Sequence, residues 1–306
     1  MNLLRRLFSK SLGKAAGETL PAGVPEDRVA GMLTNEERVW LRNYAATEYS
    51  GAGAIVELGC FVGSGSIALA EGLLDSRRHP NAKVHAYDRF VWDKFLQAWW
   101  IERGFPPPRI NGDSLLPEFL ERTARWKHWI VVHEQDLNAA QWDETPIEFL
   151  FIDAMKSPRL AEAITQAFFP YLIPGLSFVA HQDFAHFFTS WIHLLQFRLR
   201  DCFEALGATP GSSTVLFRCL KVPGNEQLHR LSLNNATHGE IEAAFDYSLG
   251  LVSEHQKRNV MAAKAMAYIH RGDLARAGEV LAAIGAVGIE GGEVESVRQI
   301  LEERLG

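Results

Sequence analysis

Cysteine is scarce in this chain: Cys60, Cys202 and Cys219 are the only three in 306 residues, an odd and widely spaced set. That supply excludes a disulfide framework or a cysteine-rich zinc site and fits a reducing, cytoplasmic setting. Long apolar runs are missing too. The longest, Phe168 to Ala180, is too short to span a bilayer and is broken by Pro170 and Pro174, so no transmembrane helix is expected. Nor is positive charge in excess: Lys and Arg number 31 against 37 Asp and Glu, a net −6. Four of those cations (Arg5, Arg6, Lys10, Lys14) precede the first acid, Glu18, which leaves 27 against 37 for the remainder. A surface of that sign does not track phosphates, so nucleic acid is not an expected partner.

What the chain does have is material for a core. At 47% hydrophobic residues it can bury one large domain and a smaller one. Residues 1–33 form a basic extension in which cations are scattered among Leu and Phe, a poor signal peptide. It reads either as a frayed terminus or as a weak amphipathic contact with a membrane surface or a partner.

Thr34-Asn35-Glu36-Glu37 has the form of a capping box and opens a helix with Val39, Trp40, Leu41 and Tyr44 on one face. Short apolar runs then alternate with helical patterns: Ala54 to Leu58, Lys83 to Tyr87, Trp129 to His133, Glu148 to Ile152 and Leu176 to Ala180. Short apolar runs of this length, separated by amphipathic stretches, predict a doubly wound, Rossmann-like α/β domain with a mostly parallel sheet over 34–222. Asp201 to Leu206 and Ser213 to Leu220, joined by a Gly-Ala-Thr-Pro-Gly-Ser turn, predict an edge hairpin. An insertion after the second run carries Trp92, Trp99, Trp100 and the triple proline 106–108, and reads as a lid or substrate wall, or as a helix packed on the surface.

Past a linker at 223–236 the pattern turns wholly helical over 237–306, opened by a second expected capping box at Thr237 to Glu240. Ala267 to Ala277 resembles the helix-turn-helix junction of a tetratricopeptide repeat, with Asp273 placed to cap the second helix. Such a hairpin suits self-association as a homo-oligomer, docking of a partner, or packing on its own domain.

The chemistry gathers at the ends of the strand runs. Glu57-Leu58-Gly59-Cys60-Phe61-Val62-Gly63-Ser64-Gly65 is a strand entering a glycine-rich turn and then a helix start, an arrangement that favours the negative groups of a nucleotide-like ligand. Gly63-x-Gly65-x-x-Ala68 also satisfies the dinucleotide fingerprint, although its first glycine lies four residues past Gly59.

Read on Glu57, Gly59, Gly63 and Gly65, the pattern E-x-G-x-x-x-G-x-G resembles the first motif of the class I S-adenosylmethionine-dependent methyltransferases, in particular their small-molecule and sugar O-methyltransferase branch. The resemblance covers about 36–222. It implies that the turn surrounds the methionine part of S-adenosylmethionine, that Asp88 holds the ribose hydroxyls, and that Asp136 accepts from the adenine amine. Asp153, ending the fourth run, joins them at the crevice.

Asp153-x-x-Lys156 is similar to the D-x-x-K of the catechol-type enzymes, which implies a divalent ion such as magnesium on the acid and a base in the lysine. The fifth run ends in His181-Gln182-Asp183 where those enzymes carry an acid pair, so a metal would rest on Asp153 and Asp183 alone and bind weakly. His181, by comparison with sugar O-methyltransferases, becomes the favoured general base, ahead of Lys156, with Asp183 beside it. The expectation is methyl transfer to a small-molecule or sugar hydroxyl. Alternatives are an NAD(P)-dependent oxidoreductase and a non-catalytic scaffold with a helical docking tail.

Overall fold

The computed structural model describes residues 31–143, 145–209, 211–229, 231, 233–286 and 292–306. The basic segment with Arg5, Arg6, Lys10 and Lys14 lies outside the described residues. Among the described residues seven strands form one sheet, in the spatial order Ile130–Glu134, Val84–Asp88, Ala54–Leu58, Ile147–Ile152, Phe178–His181, Val215–Cys219 and Phe203–Ala208. The described residues group into two compact units, one ending at Asp153 and one from Ala154 onward, apart from a short return to the first around Gly211.

The first unit contains α1 (Asn35–Asn43), β1 (Ala54–Leu58), α2 (Ser64–Ser76), β2 (Val84–Asp88), α3 (Lys94–Glu102), α4 (Leu116–Thr123), β3 (Ile130–Glu134) and β4 (Ile147–Ile152). The Thr34 capping box forms as expected: the hydroxyl accepts from Glu37 N–H while Glu37 accepts from Thr34 N–H. Trp40 and Tyr44 then lie on Phe149 of β4, the Tyr44 ring stacked at 4.2 Å. Strands β1 to β4 are parallel, with Glu57 opposite Ala86 and Phe151, and Asp88 opposite Glu134. β4 is buried along its whole length, which requires cover on both faces and explains why all but one of its residues are apolar. Glu148 is the exception in composition: its buried carboxylate accepts from the backbone N–H groups of Ser50, Ala52 and Gly53, and so fixes the turn that feeds β1.

The second unit contains α5 (Pro158–Phe168), β5 (Phe178–His181), α6 (Trp191–Arg198), β6 (Phe203–Ala208), β7 (Val215–Cys219), α7 (Asn225–His229), α8 (His238–Leu249), α9 (Glu254–His270), α10 (Leu274–Ala286) and α11 (Glu293–Leu305). The expected hairpin is present, with β7 antiparallel to both β5 and β6 and with β6 at the edge. The C-terminal helices fall in the same compact unit as these strands. Two contacts show why: the His193 ring on α6 meets Phe245 on α8 at 4.5 Å, and Arg198 on α6 grips Glu240 on α8 through two hydrogen bonds of 2.7 and 2.9 Å. That grip also alters the second cap. Thr237 accepts from Glu240 N–H, but the Glu240 carboxylate turns to Arg198 instead of completing a capping box. At the α9–α10 junction Gly272 takes φ +76 and Asp273 accepts from Arg276 N–H, which closes a helical hairpin. Among the described residues no helix is long and apolar enough to cross a membrane.

Candidate functional site

Parallel pairing sends the carboxyl ends of β1, β2, β3 and β4 to one rim, where open α/β sheets present their ligand crevice. Glu57, Asp88, Asp136 and Asp153 therefore share that rim. The rim is laced by backbone hydrogen bonds: Gly59 N–H donates to Tyr87 O at 2.8 Å, Gln135 N–H to Asp88 O at 2.9 Å and Asp153 N–H to Leu58 O at 2.8 Å.

The glycine-rich turn is shaped by positive φ at Gly59, Phe61 and Gly63. Gly63, at φ +92, is the residue before α2 and offers no side-chain acceptor to the first N–H groups of that helix. Those groups, with the positive end of the helix dipole, suit an anion. A Cβ on Gly63 would meet Thr123 Cγ2 at 2.7 Å, and one on Gly65 would lie 2.1 Å from Glu57 Oε1. Both glycines are thus demanded by the packing of the turn itself.

Glu57 is buried and accepts from the Ser66 hydroxyl. Burial pushes its carboxyl up to about 8; the Ser66 hydroxyl partly offsets this, and the charges of Asp153 and Asp88 add to it. The Asp88 carboxyl is raised too, by burial, against the N–H groups of Phe90 and Phe61 that donate to it at 2.7 and 2.8 Å. The charges of Asp153 and Asp88 thus reach Glu57 and raise its proton affinity. A cation entering there relieves that repulsion. Asp136 is exposed, and one of its oxygens accepts from both the backbone and side-chain N–H groups of Asn138.

The tryptophan-rich insertion folds as α3 and packs on the turn: Phe61 lies 5.8 Å from Trp99 and 6.2 Å from Trp100, and Trp100 donates its indole N–H to Pro106 O. Trp92 and Phe105 complete this cluster around Trp100 and Val62.

In the second unit, Lys156 and Asp183 form an ion pair, the lysine side chain half exposed and the carboxylate largely covered. His181 stands elsewhere. It is fully buried on β5, its Nε2 2.5 Å from Gln196 Nε2 and its ring against Phe217, and burial holds its pKa down at about 3. An imidazole so enclosed offers no nitrogen to a substrate, which removes the ground for a general base at that position. The period-2 pattern does not reveal this, because β5 is covered by α6, whose own polar residues His193 and Gln196 face it from the core.

Glu293 belongs to no motif in the sequence. From the start of α11 it accepts from Phe187 N–H at 2.8 Å, with His186 Nε2 at 3.9 Å, and burial lifts its carboxyl to about 7. The contact spans more than a hundred residues, so no local signal announces it.

For a metal the donors fall short. Asp183 is engaged by Lys156, and among the described residues no group of three or more His, Cys, Asp or Glu side chains is placed to hold an ion. Two acids alone do not make the oxygen-rich shell magnesium needs.

No family model matches the chain, and no curated protein matches it. Solved structures with a similar fold include the calicheamicin methyltransferase CalS11, at 17% identity over 60% of this chain and 78% of that one, TM-score 0.41. They also include the SAH-bound Podospora anserina methyltransferase PaMTH1, at 12% identity over 61% and 80%, TM-score 0.38. A third is the 23S rRNA methyltransferase ErmE, at 14% identity over 74% and 96%, TM-score 0.34. All three are methyltransferases; at these values none lends weight to a substrate, and the functional reading rests on the chain's own residues.

Proposed function

We propose that the chain is an S-adenosylmethionine-dependent methyltransferase acting on a small-molecule or sugar hydroxyl. The observation that carries this reading is the crowding of Glu57, Asp88 and Asp153 at one strand rim, beside a helix start without a side-chain cap. The cofactor is zwitterionic at one end and cationic at its sulfur. Its carboxylate suits the first N–H groups of α2, and its ammonium and sulfonium suit the acids. Asp88 then holds the ribose hydroxyls and Asp136 the adenine amine. When bound, the cofactor supplies a methyl group on a positively charged sulfur, which keeps the electron pair of the breaking S–C bond as the O–C bond forms.

The protein's part is placement and proton handling. Lys156 stabilises negative charge developing on the acceptor oxygen, and Asp183 accepts the hydroxyl proton. The aromatic cluster of Phe61, Trp99 and Trp100 supplies an apolar wall and excludes water. A nicotinamide dinucleotide fits less well, since Gly63, the first glycine of its fingerprint, lies four residues past Gly59 at the strand end. The test is transfer of tritiated methyl from S-adenosylmethionine to panels of sugars, catechols and lipids, with and without EDTA. Label on a hydroxyl acceptor, unchanged by EDTA, supports the reading; absence of transfer to every class counts against it.

A further inference from the structure

The second unit holds a cavity that the reaction above does not use. It encloses about 370 Å³, within the range of about 300–1,000 Å³ usual for small-molecule sites. One side is apolar, formed by Trp191, Leu194, Ile241 and Phe245. The indole N–H of Trp191 donates to Met155 O at 2.9 Å, so the plane of that wall is fixed before any ligand arrives.

The other side is polar and of one sign. Arg271 lines it, and no Asp or Glu among the described residues does. Among the described residues the Arg271 guanidinium meets no carboxylate, and its side chain donates only to Asn234 O at 3.5 Å. Its neighbours behave differently: Arg276 pairs with Asp273, and Arg198 with Glu240. Beside Arg271, His270 has its Nδ1 3.2 Å from the Ser190 hydroxyl and its ring 5.6 Å from Trp191. Burial and the charge of Arg304 hold its pKa down, which favours the neutral ring and a hydrogen-bonding role.

From this we infer a binding site for a small organic anion: a ring or branched hydrocarbon body against Trp191 and Phe245, with a carboxylate or phosphate head on Arg271. A guanidinium presents a planar fork of donors that matches either oxyanion, and the apolar wall selects against a bare inorganic ion. The inference is independent of the methyltransferase reading, because every residue it uses lies outside the cofactor rim.

Calorimetric titration of the full chain with 3-phenylpropionate, phenyl phosphate and the neutral 3-phenylpropionamide tests it. The expected result is a dissociation constant of about 1 mM or tighter for at least one anion, with the amide at least about tenfold weaker. Whichever anion binds tighter identifies the head group. Arg271→Gln should lose about tenfold for the anion, and Ala267→Phe, which fills the cavity, should abolish the signal. Arg271 is exposed, so its variant is expected to fold even if the filled one does not. Equal binding of acid and amide, parent-like binding by Arg271→Gln, or no heat with either anion would overturn the assignment.

Discussion

The Asp88 carboxylate accepts the backbone N–H of Phe61 at 2.8 Å, so the acid that ends the second strand closes the glycine-rich turn that follows the first. Its other oxygen accepts from Phe90 N–H at 2.7 Å. One side chain therefore shapes the turn and faces the crevice. Asp88→Ala removes two charge-assisted hydrogen bonds and should cost about 2–4 kcal/mol of stability, read from the urea midpoint. Asp88→Asn, which keeps one acceptor, should cost roughly half of that. Parent-like midpoints in both variants would mean that the turn closes without it.

Glu57 carries a pH signature. Its folded pKa, about 8, lies above the ordinary carboxyl value of 4.5, so between those values the folded chain binds a proton that the unfolded chain has lost. Stability therefore falls as pH rises through that window. Glu57→Gln, neutral at every pH, should resemble the parent near pH 4.5 and become progressively more stable than it toward pH 8.5. Thermal unfolding of both proteins across that range is the measurement. A gap that stays constant with pH would show that Glu57 is ionised throughout.

His193 works in the opposite direction. Among the described residues neither of its ring nitrogens has a hydrogen-bond partner, and burial, with a smaller contribution from His181, holds its pKa at about 3. Between pH 6.5 and 3 the unfolded chain takes up a proton that the folded chain refuses, so stability is lost as pH falls through that window. His193→Leu removes this penalty together with two unsatisfied polar atoms, and should be at least as stable as the parent at pH 5, by about 1–3 kcal/mol. Denaturant unfolding at pH 5 and pH 7 reads it; a variant weaker at both would point to a packing role for the imidazole.

Lys156 and Asp183 separate chemistry from stability. The lysine is half exposed while the carboxylate is largely covered, and a pair open to water on one side contributes modestly to folding, about 1 kcal/mol. Lys156→Ala and Asp183→Asn should each lower kcat for methyl transfer by about 10²–10⁴-fold, with the unfolding midpoint and the affinity for S-adenosylhomocysteine nearly unchanged. A loss confined to cofactor affinity would move the pair out of the proton-handling role.

Much of the first unit is legible in the residues. β1 occupies Ala54–Leu58, the span its sequence predicts, because Gly53 and Gly59 punctuate an apolar run. The edge hairpin and the Thr34 capping box are likewise local events with local signals. The acids at the rim follow from the same logic, since a parallel sheet sends every strand end to one side. What stayed hidden depends on distant partners. Glu148 looks like an interruption in an apolar strand until Ser50 and Gly53 are seen donating to it. His181 resembles a crevice residue until Gln196 and Phe217 enclose it. Arg198 and Glu240 give no local sign that they pair, since they lie 42 residues apart in the chain. Charge and alternation along the chain cannot encode which surface another element will cover.

The rim of acids is best tested by calorimetric titration with S-adenosylhomocysteine and, in parallel, with NAD. The account predicts saturable binding of the first, weakened by about 1–3 kcal/mol in Asp88→Asn, and no comparable binding of the second. Tight NAD binding with no response to S-adenosylhomocysteine would contradict it.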